Sequence, residues 1–335
     1  MGKHLSAPIA MTMGDPAGCG PQITKSAWQA LKSDPACAFA VIAPPSAFVA
    51  HGPIEIISDM AEARDAFSKA LPILPIDTDL PEISPGAPNQ AAASAIIASI
   101  ETATTLALSG AAGALVTNPI NKALLYSAGF TYPGHTEFLA ALCAPKGDAP
   151  TRPVMMLVGG GLRVALATIH MPLMETSQAL SEDLLIEVAA ITNKALQSDF
   201  GITAPKLAFT GLNPHAGENG TIGHEEIEII NPAAKKLRKQ GITISDARSA
   251  DTVFAESLTG AYDAVIAMTH DQGLIPVKTL DFWGGVNTTL GLPIIRTSPD
   301  HGTAYEAAAK AHCRPDSLIA AIKLASQNAM NRKHA

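Results

Sequence analysis

Aromatic residues are scarce in this chain, at 4% of 335 positions, although the hydrophobic fraction reaches 47%. The core must therefore be built from Ala, Val, Ile and Leu, a mixture that suits helices packed on a parallel sheet. Positive charge is also short. With 23 Lys and Arg against 30 Asp and Glu, the net charge of −7 excludes a broad nucleic-acid or anionic-membrane surface. A small anionic substrate held by a few local cations stays open. Cysteines are few, and Cys19, Cys37, Cys143 and Cys313 show neither a paired metal spacing nor a disulfide framework, so a reducing cytoplasm is the expected compartment. No long apolar stretch precedes the first Gly/Pro loop, and no secretory signal is expected. Residues 91–116 carry one charge, Glu101, but consist mainly of Ala, Ser and Thr and are interrupted by Gly110 and Gly113. They read as a buried helix followed by a strand, not as a membrane span. Internal repeats and low-complexity tails are absent as well.

A chain of this length reads as one large or two medium α/β domains. Five short runs, residues 9–13, 114–117, 164–169, 206–212 and 264–269, are apolar on nearly every position and end in polar, Gly- or Pro-containing loops. That pattern predicts strands covered on both faces, with helical stretches between them. Ser181 predicts a helix start, with Glu182 and Asp183 at its positive end and an apolar stripe through Leu184, Leu185, Val188, Ile191 and Leu196. A second helix is expected after Gly223 through Glu225, Glu226 and Ile230, and a third ends at Gln240 with Gly241 as its stop. Residues 71–89, rich in Pro and acidic residues, read as a surface connection.

Three strand ends deliver a histidine: LRVALATIH places His170, KLAFTGLNPH places His215, and YDAVIAMTH places His270. Carboxyl ends of strands border the ligand crevice in open α/β sheets, and three imidazoles there can hold a divalent cation while leaving positions for substrate. One such histidine alone is more often a hydrogen-bonded structural residue. GDPAGCGP, residues 14–21, joins the first strand to a helical pattern through Ile23, Ala27 and Leu31. Gly14 and Gly18 there permit close backbone approach to a cofactor, although the stretch lacks both the Gly-x-Gly-x-x-Gly spacing and a P-loop ending, and a plain tight turn explains it equally. GHTEF puts His135 and Thr136 at another helix start, where an imidazole, a hydroxyl and free amides can meet phosphate oxygens, or where Thr136 merely caps. Lys278, Asn287 and Arg296 stand in polar loops around the apolar segment 290–295 and can grip a phosphate, Arg296 through two parallel hydrogen bonds and Lys278 as a point charge. Individually such cations are usually solvated surface groups.

With these residues in view, the chain resembles the 4-hydroxythreonine-4-phosphate dehydrogenase family over nearly its whole length. Six blocks in order carry the resemblance: MTMGDPAGCGP, VTNPINKALLYSAGFTYPGHTEF, LRVALATIHMPL, LNPHAGENG, MTHDQGLIPVK and GGVNTTLGLPIIRTSPDHGTA. The resemblance implies two α/β/α domains with an active-site cleft between them, like isocitrate and isopropylmalate dehydrogenases. A discontinuous first domain is expected over 1–130 and 282–335, and a second over 131–281 carrying the metal histidines. By the same likeness His170, His215 and His270 bind one divalent metal ion (zinc, cobalt or magnesium), and His135, Thr136, Lys278, Asn287 and Arg296 bind substrate. Asp300, His301, Gly302, Thr303 and Ala304 lie near the adenine end of NAD or NADP.

The implied reaction oxidises 4-phosphohydroxy-L-threonine to a 2-amino-3-oxo acid that loses CO2, in pyridoxal 5′-phosphate biosynthesis. A water on the cation, His135 or Asp251 takes the proton. The implied assembly is a cytoplasmic homodimer with shared sites, His170 and His215 from one subunit and His270 from its partner. Alternatives are a paralogous dehydrogenase of erythronate or threonate 4-phosphate, a phosphate acyltransferase on a related fold, and a non-catalytic metabolite binder. The strand-end histidines count against the acyltransferase, and the intact set of candidate ligands counts against the binder. Two departures stand out. Many relatives continue from DHGTA into an Ala-Gly-Lys-Gly-like turn, whereas this chain reads YEAAAKAHCRPDS, and Cys19 stands where an aliphatic residue is usual.

Overall fold

A computed structural model describes residues 5–332 apart from 128, 133, 146 and 148. By its internal contacts the chain divides into two compact units, Met1–Pro153 with Leu292–His334, and Val154–Gly291. The first unit contains β1 (Ile9–Thr12), β2 (Phe39–Ile42), β3 (Ile54–Ile56), β4 (Leu71–Leu74) and β5 (Ala114–Val116). The second contains β6 (Val154–Gly159), β7 (Leu162–Leu166), β8 (Lys206–Phe209), β9 (Thr243–Ile244), β10 (Ala264–Ala267) and β11 (Val286–Leu290). The chain then returns to the first unit for β12 (Arg296–Pro299).

Strands of the first unit run in the order β3-β4-β2-β1-β5-β12, each pair of neighbours parallel. Every residue of β1, β2, β5 and β12 is buried, which explains the apolar runs of β1, β2 and β5, while β12, RTSP, is buried but polar. Residues 91–116 form a helix, Ala93–Leu108, followed by β5. The helix lies on β1, β2 and β5 through Ala95, Ile96, Ser99, Ile100 and Ala103. Small side chains bring it close enough for the Ser99 hydroxyl to accept from Met13 N at 2.8 Å and donate to Ile42 O at 2.6 Å. Part of the stretch read as a surface connection is strand β4; Pro72 is tolerated there beside the edge strand β3, and residues 75–89 contain neither strand nor helix.

In the second unit the order is β11-β6-β7-β10-β8-β9. Here β11, β6 and β7 pair antiparallel, while β7, β10, β8 and β9 are parallel. The helix Glu182–Ser198 starts where Ser181 accepts from Leu184 N at 3.2 Å. Its Leu185, Val188 and Leu196 enter a core with Phe209, Ile230 and Leu237, each such side chain contributing roughly 1.5–3 kcal/mol on full burial. The second and third expected helices are continuous: a π-helical turn, Glu226–Ile230, runs straight into the α-helix Asn231–Lys239. Gln240 caps its end, and Gly241 takes φ +87°.

Candidate functional site

In the second unit β10 lies between β7 and β8, all three parallel, so the loops carrying His170, His270 and His215 leave the same end of three adjacent strands. His170 follows Thr168, whose hydroxyl donates to Met268 O at 2.6 Å and ties that loop to the one after β10. His270 is the first residue of the helix His270–Leu280, whose start is fixed by reciprocal capping between Thr269 and Gln272. The rings of His170 and His270 stand 5.5 Å apart between centroids. Both line a hollow of about 460 Å³ with Met171, Leu173 and Ile275. His215 lines a separate hollow of about 320 Å³ with Asn213, Ser249 and Asp251, and Gln272 lines both. Among the described residues, no three His, Cys, Asp or Glu side chains are grouped so as to hold a metal ion.

The donor chemistry nonetheless suits a divalent cation. His270 Nδ1 lies 2.8 Å from Asp271 Oδ1, and His215 Nδ1 lies 3.6 Å from Glu218 Oε1. At His270 the carboxylate within hydrogen-bond distance of Nδ1 orients the imidazole and leaves Nε2 available as a ligating nitrogen, whereas at His215 the 3.6 Å separation is only a loose charge contact. The backbone around His215 is unusual, with φ of 53°, 52°, 77°, 43° and 58° from residue 215 to 219. A left-handed run costs about 1–2 kcal/mol for each non-glycine residue, and of these five only Gly217 avoids it. Asp251 accepts a 2.5 Å hydrogen bond from Ser249 Oγ, which with His215 nearby holds its carboxyl below the usual aspartate range. Lys278 lies on the helix His270–Leu280, its Nζ 5.7 Å from the Phe282 ring centroid. Asn287 stands on β11 opposite Leu157, and its Oδ1 is buried with no hydrogen-bond partner among the described residues.

In the first unit His135 and Thr136 open the nine-residue helix His135–Cys143, which has no side-chain cap. Arg296, only 4% exposed, sits on β12 next to β5 and donates from Nε and Nη2 to Thr117 Oγ1 at 3.2 and 2.8 Å. Burial pushes its pKa down to about 10, against the opposing pull of Glu137, so it remains a cation at neutral pH. His135 is part-exposed as a residue, but its Nε2 is buried and has no hydrogen-bond partner among the described residues. Burial, with Arg296 and Lys122 nearby, keeps its pKa well below the ordinary histidine value, and the ring is neutral. A buried cation, an imidazole nitrogen without a partner among the described residues, and a helix start are the kinds of group that bind a small anion. Lys122, Thr117 and Glu137 join this cluster although the sequence reading did not single them out. A Cβ on Gly134 would stand 2.5 Å from Glu137 Oε2 and 3.2 Å from Lys122 Nζ. The only sequence trace of these neighbours was their membership in the block running from VTNPINK to GHTEF.

The Gly-rich loop and residues 300–304 also meet in the first unit. A Cβ on Gly18 would lie 2.8 Å from Thr303 O, and Cys19 N donates to that oxygen at 2.7 Å. Gly14, at φ +71°, faces Asn118, whose Cβ would be 2.5 Å from its own. The amides of Asp15, Ala17, Gly18 and Cys19 all donate within the unit, so these two glycines serve loop packing directly. Asp300 N donates to Ser317 Oγ at 2.9 Å, and His301 Nδ1 lies 2.9 Å from Gly302 O. A Cβ on Gly302 would meet nothing within 4 Å, whereas Ala304 adopts φ 47°. Cys19 is buried, which pushes its thiol up to about 12. Ala311, in the stretch where relatives carry glycine, is held at φ 54°.

A family model described as "Pyridoxal phosphate biosynthetic protein PdxA" matches residues 36–325. A protein of Caulobacter vibrioides named 4-hydroxythreonine-4-phosphate dehydrogenase is 49% identical over 334 residues, covering 98% of this chain and 99% of its own. The crystal structure of a 4-hydroxythreonine-4-phosphate dehydrogenase from Klebsiella pneumoniae superposes with a TM-score of 0.85 at 36% identity, covering 97% of this chain and 100% of that one. A terephthalate 1,2-cis-dihydrodiol dehydrogenase from Burkholderia xenovorans LB400 superposes with a TM-score of 0.66 at 27% identity, covering 96% and 98%.

Proposed function

The chain belongs to the PdxA family of pyridoxal phosphate biosynthetic proteins, and from that premise we propose that it is an NAD(P)- and divalent-metal-dependent 4-hydroxythreonine-4-phosphate dehydrogenase. It oxidises 4-phosphohydroxy-L-threonine at C3, passing hydride to the nicotinamide, to give 2-amino-3-oxo-4-phosphooxybutanoate. That β-keto acid loses CO2 to give 3-amino-2-oxopropyl phosphate. The observation that carries the reading is the buried Arg296 near a neutral His135 whose Nε2 has no hydrogen-bond partner among the described residues, at a helix start, which suits the phosphate of the substrate.

His135, Thr136, Lys278, Asn287 and Arg296 bind the substrate, with Lys278, Asn287 and Arg296 as the phosphate grip and His135 and Thr136 at a helix start that also suits phosphate oxygens. Phosphate binding far from C3 orients the reacting carbon, where fixed geometry lowers the barrier by several kcal/mol. His170, His215 and His270 would hold the cation. When bound, the cation acts as a Lewis acid that acidifies the C3 hydroxyl and draws electrons during decarboxylation. Two side chains are in the proton-accepting form at neutral pH, neutral His135 and ionised Asp251. The hollow that Asp251 shares with His215 favours Asp251 as the acceptor. Residues 300–304 take the adenosine end of the dinucleotide, with Gly18 packed behind Thr303 and Gly14 against Asn118.

The working form is a homodimer with shared sites. Leu173, Met174 and Ile275, exposed at 75%, 87% and 64%, belong to the segments around the His170–His270 hollow and offer an apolar face to a second copy. By the family resemblance, His170 and His215 from one copy and His270 from its partner form one site; within a single copy His170 and His270 line one hollow and His215 another. All four cysteines are free, which suits the cytoplasm. The test is a substrate panel read by reduced-cofactor absorbance, with metal-depleted and metal-restored enzyme. Metal-dependent turnover of 4-phosphohydroxythreonine well above erythronate and threonate 4-phosphates is expected. The reverse preference would assign a sugar-acid phosphate dehydrogenase instead.

A further inference from the structure

The lead-in to the left-handed run that begins at His215 is tied to the buried carboxylate of Glu226. This side chain is 2% exposed. Its Oε1 accepts from both Leu212 N and Asn213 N at 2.8 Å, and its Oε2 accepts from Asn213 Nδ2 at 3.0 Å. Three donors from the two residues that lead into the Pro214–Gly220 turn therefore converge on one carboxylate. Glycines make room for it on both sides of that lead-in. A Cβ on Gly211 would lie 3.1 Å from Oε1, and one on Gly217 would lie 2.6 Å from Oε2. Glu226 is also the first residue of the π-helical turn Glu226–Ile230. Such turns add a residue to the helical ladder and are frequent near functional sites. Asn213 Nδ2 bonds a second carboxylate, Glu225 Oε2, at 2.7 Å, so the lead-in is held from two consecutive residues.

We propose that Glu226 is a positioning residue for His215: by gathering the amides of Leu212 and Asn213 it fixes the strained turn that aims the His215 imidazole. This rests on the reading of His215 as a metal ligand, and it adds the group that sets the ligand's place. A strained backbone persists only where its surroundings over-determine it, and here the over-determination is a buried anion matched to three N–H donors. Glu226→Gln preserves size but leaves one acceptor oxygen in place of two, so either the two backbone amides or Asn213 Nδ2 face an NH2 group, and the anchor of the turn is weakened without creating a cavity.

The experiment uses the metal-depleted full chain titrated with cobalt(II) alone and followed by visible ligand-field absorption, with His215→Ala as the reference. Wild-type protein gives the strongest binding. Glu226→Gln is expected to bind cobalt(II) roughly 10- to 100-fold more weakly, with a spectrum shifted toward that of His215→Ala, as for loss of a group that orients a ligand. Asn213→Ala, which removes only the side-chain tie, is expected to move both readouts in the same direction by less, and it keeps the test available should Glu226→Gln fail to fold. Wild-type affinity and spectrum in a folded Glu226→Gln or Asn213→Ala protein overturn the proposal. If wild-type and His215→Ala proteins respond to cobalt(II) identically, the metal reading fails. The crystal structure of Glu226→Gln then decides the positioning claim by itself: His215 leaving the positive-φ region upholds it, and an unchanged turn rejects it.

Discussion

Replacing Arg296 with Lys separates a phosphate grip from a structural cation. The wild-type guanidinium is almost wholly buried, is charged at neutral pH, and directs Nε and Nη2 to Thr117 Oγ1. Lysine keeps the charge but loses the planar fork that fits a phosphate by two parallel bonds. Losing one charge-assisted hydrogen bond costs about 1.5–3 kcal/mol, which corresponds to a fall of roughly 10- to 150-fold in kcat/KM. That loss should fall on the phosphorylated substrate, while the dephosphorylated analogue, already slow, should change by less than about threefold. The Thr117 bonds go as well, at about 1 kcal/mol of stability, so the unfolding midpoint should drop only modestly. The assay is steady-state formation of reduced cofactor on both substrates at saturating cation, beside a denaturant melt. An equal loss on both substrates, or a loss that follows the melt, would make Arg296 structural and refute the phosphate assignment.

Chelation should abolish turnover, with His215→Ala weakening metal binding while leaving the circular dichroism unchanged; full activity in rigorously metal-free enzyme would refute it. Ala311→Gly should raise stability by about 1 kcal/mol, read as a higher denaturant midpoint, because only an L side chain pays for φ 54° there. His135 is neutral in the fold with its pKa depressed below 6.5, so the unfolded chain binds the extra proton. Its contribution is complete above pH 6.5 and falls as pH drops below that value, by up to about 1.4 kcal/mol per pH unit until the folded group itself titrates. His135→Gln should flatten that part of the stability profile, and an unaltered slope would show that His135 does not titrate as described.

Local chemistry made some of this molecule legible in advance. The largely buried strands β1, β5, β7, β8 and β10 announce themselves as runs apolar on nearly every position, and Ser181 caps its helix because the hydroxyl, the acidic first turn and the apolar stripe all agree. The edge strand Ile54–Ile56 and the polar strand Val286–Leu290 lack that signal, since one is largely exposed and the other is VNTTL. The histidines at three strand ends could be picked out, but not that His170 and His270 share one hollow while His215 opens into another, because that depends on which strands are neighbours. Nothing in the order of residues joins Arg296 to His135, or Glu226 to Asn213. Those pairings are made by β12 returning beside β5 and by a π-turn that re-aims one carboxylate.

A metal site shared between two copies can be detected by mixing subunits. Inactive His170→Ala and His270→Ala proteins are dissociated, mixed and re-associated. With His170 and His215 from one copy and His270 from the other, each mixed dimer has one site carrying both lesions and one carrying none. Random re-association then recovers roughly a quarter of wild-type activity, while a mixture of His170→Ala and His215→Ala recovers none. No recovery from the first mixture would contradict the account, because every site would then draw His170 and His270 from a single chain.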